Sequence, residues 1–197
     1  MKKYIPNSLT IFRMFLVPVF FWLAILIHSE NSLRWATVVF IIAGITDYFD
    51  GMLARKFNAI TDFGKIMDPL ADKLLVLIAL FAITIQPLEL INVYALYIIF
   101  FRELLVSLMR NYYFRRKIYI AANIWGKLKT VFQITGIIVA LLYYSLLSQH
   151  LIAYQEKIRN GFQTLFWIIA VITFLSGISY IFDVRKILKT AEKQNNA

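Results

Sequence analysis

The stretch DYFDGMLARKFNAITDFGKIMDPLAD, residues 47–72, places two pairs of aspartates in a chain that is otherwise apolar and basic. Asp47 and Asp50 are three residues apart, and Asp68 and Asp72 are four apart. On helices the two members of each pair lie on one face. Because a carboxylate is costly to desolvate, aligned pairs beside hydrophobic segments favour a site for divalent cations. Asp62 falls outside the pairing and is expected to be a solvated loop residue.

The composition around this stretch is that of an integral membrane protein. Of the 197 residues, 60% are hydrophobic, and the mean hydropathy of +0.69 exceeds that of soluble proteins. A span needs ~20 helical residues, because the hydrocarbon core is ~30 Å thick. We expect an all-α, six-transmembrane-helix bundle whose spans contain the apolar runs Ile11–Ile27, Leu33–Phe49, Leu74–Ile85, Val93–Met109, Val131–Leu147 and Phe162–Phe182.

The two ends of the chain are expected to flank this bundle within a single domain, residues 1–197. Residues 1–6 predict a short interfacial segment, and residues 183–197 predict a charged C-terminal tail. Pro6, Arg13 and Pro18 interrupt the first apolar run, and no small-residue cleavage site follows it, so we expect a retained helix rather than a signal peptide. The chain has no cysteine, which excludes a disulfide framework and a thiolate metal site.

Lysine and arginine are distributed unevenly between the predicted loops. With six spans both termini lie on one side, and the opposite loops hold only Arg34, Lys157 and Arg159. The positive-inside rule then puts both termini and the aspartate stretch in the cytoplasm. The net charge of +10 predicts attraction to anionic membrane lipids or a field that gathers anionic substrates. A nucleic-acid partner is not expected.

The ends of the second and third spans set the depth of the aspartates. The run Leu74–Ile85 rises only ~18 Å as a helix, so the third helix is expected to begin at Asp68, with Pro69 in its first turn. The same length argument extends the second helix through Arg55. Both aspartate pairs then lie near the cytoplasmic headgroup boundary, and Gly64 lies in the connector between the helices.

Polar residues elsewhere leave two interpretations open. Asn7, Thr10 and Arg13 recur every three residues on one helix face. Either Asn7 caps a helix whose Arg13 reaches to lipid phosphates, or this face lines the entry of a substrate cavity. Arg102 and Glu103 lie inside an apolar run, where charged residues are functional candidates or form an ion pair with a neighbouring helix.

The chemistry of the aspartates narrows the choice of ligand. Carboxylates without cysteine or clustered histidine favour one or two hard cations, Mg²⁺ or Mn²⁺ rather than zinc. Such ions can bind a pyrophosphate, and Arg55 can add a charge-assisted hydrogen bond to a phosphate. A site at the headgroup boundary suits a lipid whose pyrophosphate reaches the metals while its tails stay in the bilayer. An ion-coupled transporter is the alternative from another class, because it too carries charges within the membrane.

The aspartate stretch resembles the signature of the CDP-alcohol phosphotransferase family at all eight fixed positions, which are Asp47, Asp50, Gly51, Ala54, Arg55, Gly64, Asp68 and Asp72. The resemblance implies a homodimer that transfers the phosphatidyl group of CDP-diacylglycerol to an alcohol and releases CMP, with Mg²⁺ or Mn²⁺ as cofactor. It implies that the four aspartates bind the metal and that Asp72 is also the catalytic general base. It further implies that the CDP moiety is held by Asp50, Gly51, Ala54, Arg55 and Gly64.

Three further segments resemble the bacterial phosphatidylglycerophosphate synthases within this family, and these are Asn7–Arg13, Arg102-Glu103-Leu104 with Arg110, and Gly126–Thr130. This resemblance implies glycerol 3-phosphate as the acceptor and a place in the bacterial cytoplasmic membrane. Because a small dianion needs fixed positive charge, Arg110, Lys127 and Lys129 are expected to bind its phosphate. Phosphatidylglycerol (as in cardiolipin synthase), serine and inositol phosphate remain alternative acceptors.

Overall fold

The computed structural model describes residues 5–27, 29–57, 62–85, 87–115, 124–148 and 150–195, and these residues contain no β-strand. The helices are α1 (Ile5–Phe21) with a π-helical end (Trp22–Leu26), α2 (Glu30–Phe57), α3 (Asp62–Thr84), α4 (Val93–Arg115), α5 (Ile124–Leu142) with a π-helical end (Tyr143–Leu147), a 3₁₀ turn (Ile152–Tyr154) and α6 (Gln155–Asn195). Each predicted apolar run is helical except for at most one residue at its end, so the all-α class is confirmed.

The apolar surfaces fit a lipid environment. Among the described residues, Leu128–Leu147 and Ile152–Ile187 are long and apolar enough to cross a membrane, and Ile11–Leu26 is a shorter apolar helix. Large apolar side chains remain exposed, among them Phe15 and Phe182 at 68% and 63%. Soluble proteins rarely expose so many aromatic and aliphatic side chains. The chain therefore has the features of a membrane protein, and the six spans remain a prediction.

The helix that carries the second aspartate pair starts earlier than predicted. Helix α3 begins at Asp62, so the predicted start at Asp68 is wrong, and Gly64 lies inside the helix rather than in a connector. The predicted loop position of Asp62 is wrong for the same reason. The cause is visible in the sequence, because Phe63, Ile66, Met67 and Leu70 continue the helical apolar spacing ahead of Leu74. The predicted extension of α2 through Arg55 is confirmed.

Two other predicted boundaries also shift. Helix α1 begins at Ile5, so Asn7 lies inside the helix and is not its cap, and the predicted interfacial segment overlaps the helix. At the other end, α6 continues to Asn195, so most of the predicted charged tail is an extension of the last helix.

The chain groups into two compact units, each built from two segments. The first unit comprises Met1–Leu90 and Ile137–Arg159, and the second comprises Ile91–Gly136 and Asn160–Ala197. In the first unit, α1 packs against both α2 and α3, and α2 also contacts α3. The aspartate stretch belongs entirely to this unit.

Helices α1 and α2 run antiparallel along a single seam. The ring centroids of Phe20 and Phe40 are 5.6 Å apart, and Arg13 forms an ion pair with Asp47. Both contacts fit one register, because moving back seven residues on α1 corresponds to moving forward seven residues on α2. A step of seven residues is about two helical turns, so the same face of each helix makes the contacts from the rings to the ion pair.

The second unit is packed through small residues. Arg102 of α4 lies against Gly177 of α6, where an added Cβ would be 3.0 Å from the Arg102 Cγ. An added Cβ at Gly136 of α5 would be 3.3 Å from Phe166 and Ile169 of α6. Ser176 and Gly177 are both buried at this contact, as small residues at a close helix interface are. Gly161, near the start of the same helix, is exposed.

Candidate functional site

The aspartates continue the buried faces of α2 and α3. On α2 the fully buried residues Ala36, Phe40 and Ala43 recur at intervals of four and three, and the next step reaches position 47. On α3 the buried residues Ala79 and Leu75 lead back by the same steps to positions 72 and 68. The same two faces that are apolar in the middle of the first unit therefore carry the acids toward one end of each helix.

Asp47 is held from the side of α1 by Arg13. The guanidinium Nη1 of Arg13 contacts the Oδ1 of Asp47, and the side chains of the two residues are 1% and 49% exposed. The interpretation that Arg13 reaches to lipid phosphates is wrong, because the side chain is enclosed by protein. The carboxylate, by contrast, has a protein-facing side in contact with a cation and an open side available to a ligand. The side chains of Asn7 and Thr10 lie outside the described residues.

Asp72 is partly buried and follows the buried Ala71 on α3. The backbone at all eight signature positions is helical, with five positions on α2 and three on α3. The side chains of Asp50, Ala54, Arg55 and Asp68 lie outside the described part of the chain, so their predicted roles remain proposals.

The donor set fits a hard divalent cation. Four carboxylates at helical spacing on two adjacent helices offer oxygen ligands, which Mg²⁺ and Mn²⁺ prefer, and the described Asp47 carboxylate is half open to solvent. The proposed ligands of such a metal are Asp47, Asp50, Asp68 and Asp72.

In the second unit, Glu103 forms an ion pair with Lys129 across α4 and α5. The Arg102 guanidinium also lies 3.7 Å from the Glu103 carboxylate and donates a 2.8 Å hydrogen bond to the Ser176 hydroxyl. Of the two interpretations for Arg102 and Glu103, the ion pair with a neighbouring helix is therefore observed for Glu103. Two cations, Arg102 and Lys129, therefore lie close to the Glu103 carboxylate.

The predicted acceptor residues have different surroundings. Lys129 is buried beside Glu103, whereas Arg110 is exposed near the end of α4. The Lys127 side chain lies outside the described residues. The sequence did not reveal that Glu103 is the partner of Lys129, because they are far apart in the chain and only the packing of α4 on α5 joins them.

A polar cavity in the first unit was also missed. It has a volume of about 770 Å³ and is lined by the 87–90 loop, the end of α5 and the start of α6. Glu89, with a φ of 46°, lies 3.6 Å from Arg159 in this cavity. The cavity is adjacent to the C-terminal end of α3, and the aspartates lie toward the other end of that helix. In the sequence, Pro87 is a local signal of the turn that follows α3.

Comparison with known proteins places this geometry in a family. The sequence model of the CDP-alcohol phosphatidyltransferases matches residues 3–182. A Rickettsia typhi protein named CDP-diacylglycerol–glycerol-3-phosphate 3-phosphatidyltransferase is 36% identical over 182 residues, covering 90% of this chain and 95% of the relative. Proteins of the same name from Rickettsia prowazekii and Haemophilus influenzae are 36% and 35% identical, covering 90% and 92% of this chain and 93% of each relative.

Proposed function

This chain belongs to the CDP-alcohol phosphatidyltransferase family, and we propose that it transfers the phosphatidyl group of CDP-diacylglycerol to glycerol 3-phosphate. The products are phosphatidylglycerophosphate and CMP. The observation that carries the proposal is the full eight-position signature on α2 and α3, in a chain whose relatives match it over nearly their whole length and are named for this reaction. Family membership favours the transferase over an ion-coupled transporter.

The proposed setting is the bacterial cytoplasmic membrane, with six spans and the aspartates facing the cytoplasm. The apolar helices and exposed aromatic side chains support a membrane location. The excess of lysine and arginine in the loops on the side of the termini supports the orientation. A homodimer remains a prediction from the family.

The four signature aspartates are proposed to hold one or two Mg²⁺ or Mn²⁺ ions. When bound, these ions supply positive charge that binds the pyrophosphate of CDP-diacylglycerol and stabilises charge on the departing CMP. Gly51, Ala54 and Gly64 are proposed to face the CDP moiety, where small residues allow a close approach, and Asp50 and Arg55 are proposed to add polar contacts to it.

Asp72 is proposed to act as the general base. Its carboxylate takes the proton of the acceptor hydroxyl while the hydroxyl oxygen attacks the phosphorus of the phosphatidyl group. The bond between this phosphorus and the bridging oxygen breaks, and CMP leaves with the bonding electrons. Asp72 is partly buried, which limits the competition from bulk water for the same proton.

Arg110, Lys127 and Lys129 are proposed to bind the phosphate of glycerol 3-phosphate. The described cluster supports this role, because Arg102 and Lys129 both lie beside Glu103 and bring two positive charges to this part of α4 and α5. A dianionic acceptor is attracted to such a field, whereas zwitterionic serine gains little from it. The charge therefore favours glycerol 3-phosphate or inositol phosphate over serine.

An acceptor panel tests the proposal. Purified protein, labelled CDP-diacylglycerol and Mg²⁺ are combined with glycerol 3-phosphate, phosphatidylglycerol, serine or inositol phosphate, and CMP release is measured. We expect the fastest release with glycerol 3-phosphate. Faster release with another acceptor would contradict this acceptor but keep the transferase, and no release with any acceptor would contradict both.

A further inference from the structure

The ion pair between Arg13 and Asp47 joins a buried cation to a half-exposed carboxylate. Arg13 is among the largest fully buried side chains in the described part of the chain, so it does not meet a substrate or a lipid headgroup directly. Its contact is with Oδ1 of Asp47. Any effect of Arg13 on the reaction must therefore pass through the groups that it touches, and Asp47 is a described group among them that has an open side.

The packing of α1 on α2 fixes this contact. Phe20 is fully buried and contacts Phe40, and this ring contact lies two turns from the ion pair along the same seam. Val17, which lies between Arg13 and Phe20 on α1, is also buried. Helix α1 cannot slide or rotate on α2 without separating these rings. The guanidinium is consequently held in one place, and it can restrict the rotation of the Asp47 carboxylate.

Charge gives the contact a second effect. Four carboxylates on two adjacent helices repel one another, and a fixed guanidinium behind one of them lowers that repulsion. Residues that hydrogen-bond a metal-ligating side chain from behind fix its orientation, and their loss costs about 10–100-fold in metal affinity. We propose that Arg13 is a positioning residue of the metal site, which orients the Asp47 carboxylate toward the bound cation. This inference rests on the proposed metal site.

The test measures metal binding directly rather than activity. Purified protein is titrated with Mn²⁺, and free Mn²⁺ is followed by its electron paramagnetic resonance signal. We expect Arg13→Gln to weaken Mn²⁺ binding by about 10–100-fold. Arg13→Lys keeps the charge but loses the planar guanidinium contact, and we expect an intermediate loss. Both variants are checked for helical content beforehand.

Phe20→Leu is the matched control, because it perturbs the same seam two turns from Asp47. It should lower the unfolding temperature and leave the Mn²⁺ affinity within about twofold, since no described contact joins Phe20 to an aspartate. If Phe20→Leu weakens Mn²⁺ binding as much as Arg13→Gln does, the effect is general destabilisation and the positioning role is contradicted.

A double variant identifies the route of the effect. If Arg13 acts through Asp47, Arg13→Gln should weaken Mn²⁺ binding much less in an Asp47→Asn background than in the wild-type chain. Wild-type affinity in both Arg13→Lys and Arg13→Gln would overturn the inference and leave the transferase intact. Failure of the wild-type chain itself to bind Mn²⁺ would contradict the proposed metal site and this inference with it.

Discussion

Two ion pairs in this protein differ in which partner reaches the surface. In the first unit, Arg13 is 1% exposed and Asp47 is 49% exposed. In the second unit both partners are enclosed, with Lys129 at 6% and Glu103 at 15%. A carboxylate with an open side can bind a ligand while its cation holds it from behind. An enclosed carboxylate instead keeps its cation charged and in place. The comparison supports the proposal that Asp47 is a metal ligand and the interpretation that Glu103 supports Lys129.

Removal of divalent cations should have the largest effect on turnover. Of the two ion pairs, only the one between Arg13 and Asp47 should be sensitive to the metal. EDTA is expected to abolish turnover, and Mg²⁺ or Mn²⁺ should restore it. A metal bound at 100 times its dissociation constant stabilises the fold by about 2.7 kcal/mol. Added Mn²⁺ should therefore raise the unfolding temperature of the wild type and of Glu103→Gln, but much less that of Asp47→Asn. Full activity after metal removal would break the comparison, because neither carboxylate would then be a ligand.

Substitution of Asp72 should come next in size. Asp72→Asn keeps the size of the side chain and one oxygen but cannot accept a proton, so we expect turnover to fall by at least ~100-fold. Binding of CDP-diacylglycerol should change much less. Steady-state rates and donor binding are measured on the same preparation. Near-normal turnover would remove Asp72 from the role of base and leave it, at most, as a metal ligand.

The proposed role of Lys129, the cation of the second ion pair, is tested through the apparent KM for the acceptor. If Arg110 and Lys129 bind the phosphate of glycerol 3-phosphate, Arg110→Ala and Lys129→Met should each raise its apparent KM by roughly 10–100-fold. This corresponds to the loss of a charged hydrogen bond of about 1.5–3 kcal/mol. The apparent KM for CDP-diacylglycerol should hardly change. Arg110 is exposed, so its substitution should leave the unfolding temperature nearly unchanged. Lys127→Ala is expected to behave in the same way as Arg110→Ala.

The partner of Lys129 separates support from binding. Glu103→Gln leaves a buried ammonium without its counter-charge and should destabilise the fold by about 1–3 kcal/mol. Combining it with Lys129→Met removes both charges and should recover most of that stability, while the KM for glycerol 3-phosphate stays high. A KM that returns to the wild-type value in the double variant would show that Lys129 does not bind the acceptor.

The smallest expected effect concerns the packing beneath Arg102. An added Cβ at Gly177 would lie 3.0 Å from the Arg102 Cγ, and this side chain can shift, so Gly177→Ala should cost about 1 kcal/mol. Displacing Arg102 should also disturb its hydrogen bond to Ser176 and raise the KM for glycerol 3-phosphate a fewfold. Gly161→Ala is the control, because Gly161 lies exposed on the same helix with open space around it. Equal effects of the two substitutions on unfolding temperature would contradict the packing role of Gly177.

Local sequence patterns predicted the helices and the acids well. Apolar runs identified every long helix, and the signature residues identified the aspartate stretch on α2 and α3, since both depend on spacing within one segment. The start of α3 was predicted wrongly because Asp68-Pro69 is a strong local start signal. The helix extends N-terminal to Asp68, since the helical apolar spacing already begins at Phe63.

Contacts between distant segments could not be predicted in this way. Arg13 matched two interpretations equally well, and only the packing of α1 on α2 shows that it faces Asp47. The pairing of Glu103 with Lys129 likewise depends on how α4 and α5 meet. A sequence pattern gives the face of a helix on which a charge lies, but tertiary packing decides which partner that face receives.

The burial of Arg13 has a consequence for how the chain enters the membrane. During synthesis α1 leaves the ribosome before α2, so in the proposed topology its arginine reaches the translocon while Asp47 is still absent. An arginine at the centre of a span opposes insertion by about 2.5–3.5 kcal/mol and one nearer the headgroup boundary by less, so Arg13 lowers the efficiency with which a lone α1 integrates. Once α2 follows, the two opposite charges can neutralise each other along the antiparallel seam. The two helices are therefore expected to partition into the bilayer together, as a helical hairpin, rather than one after the other.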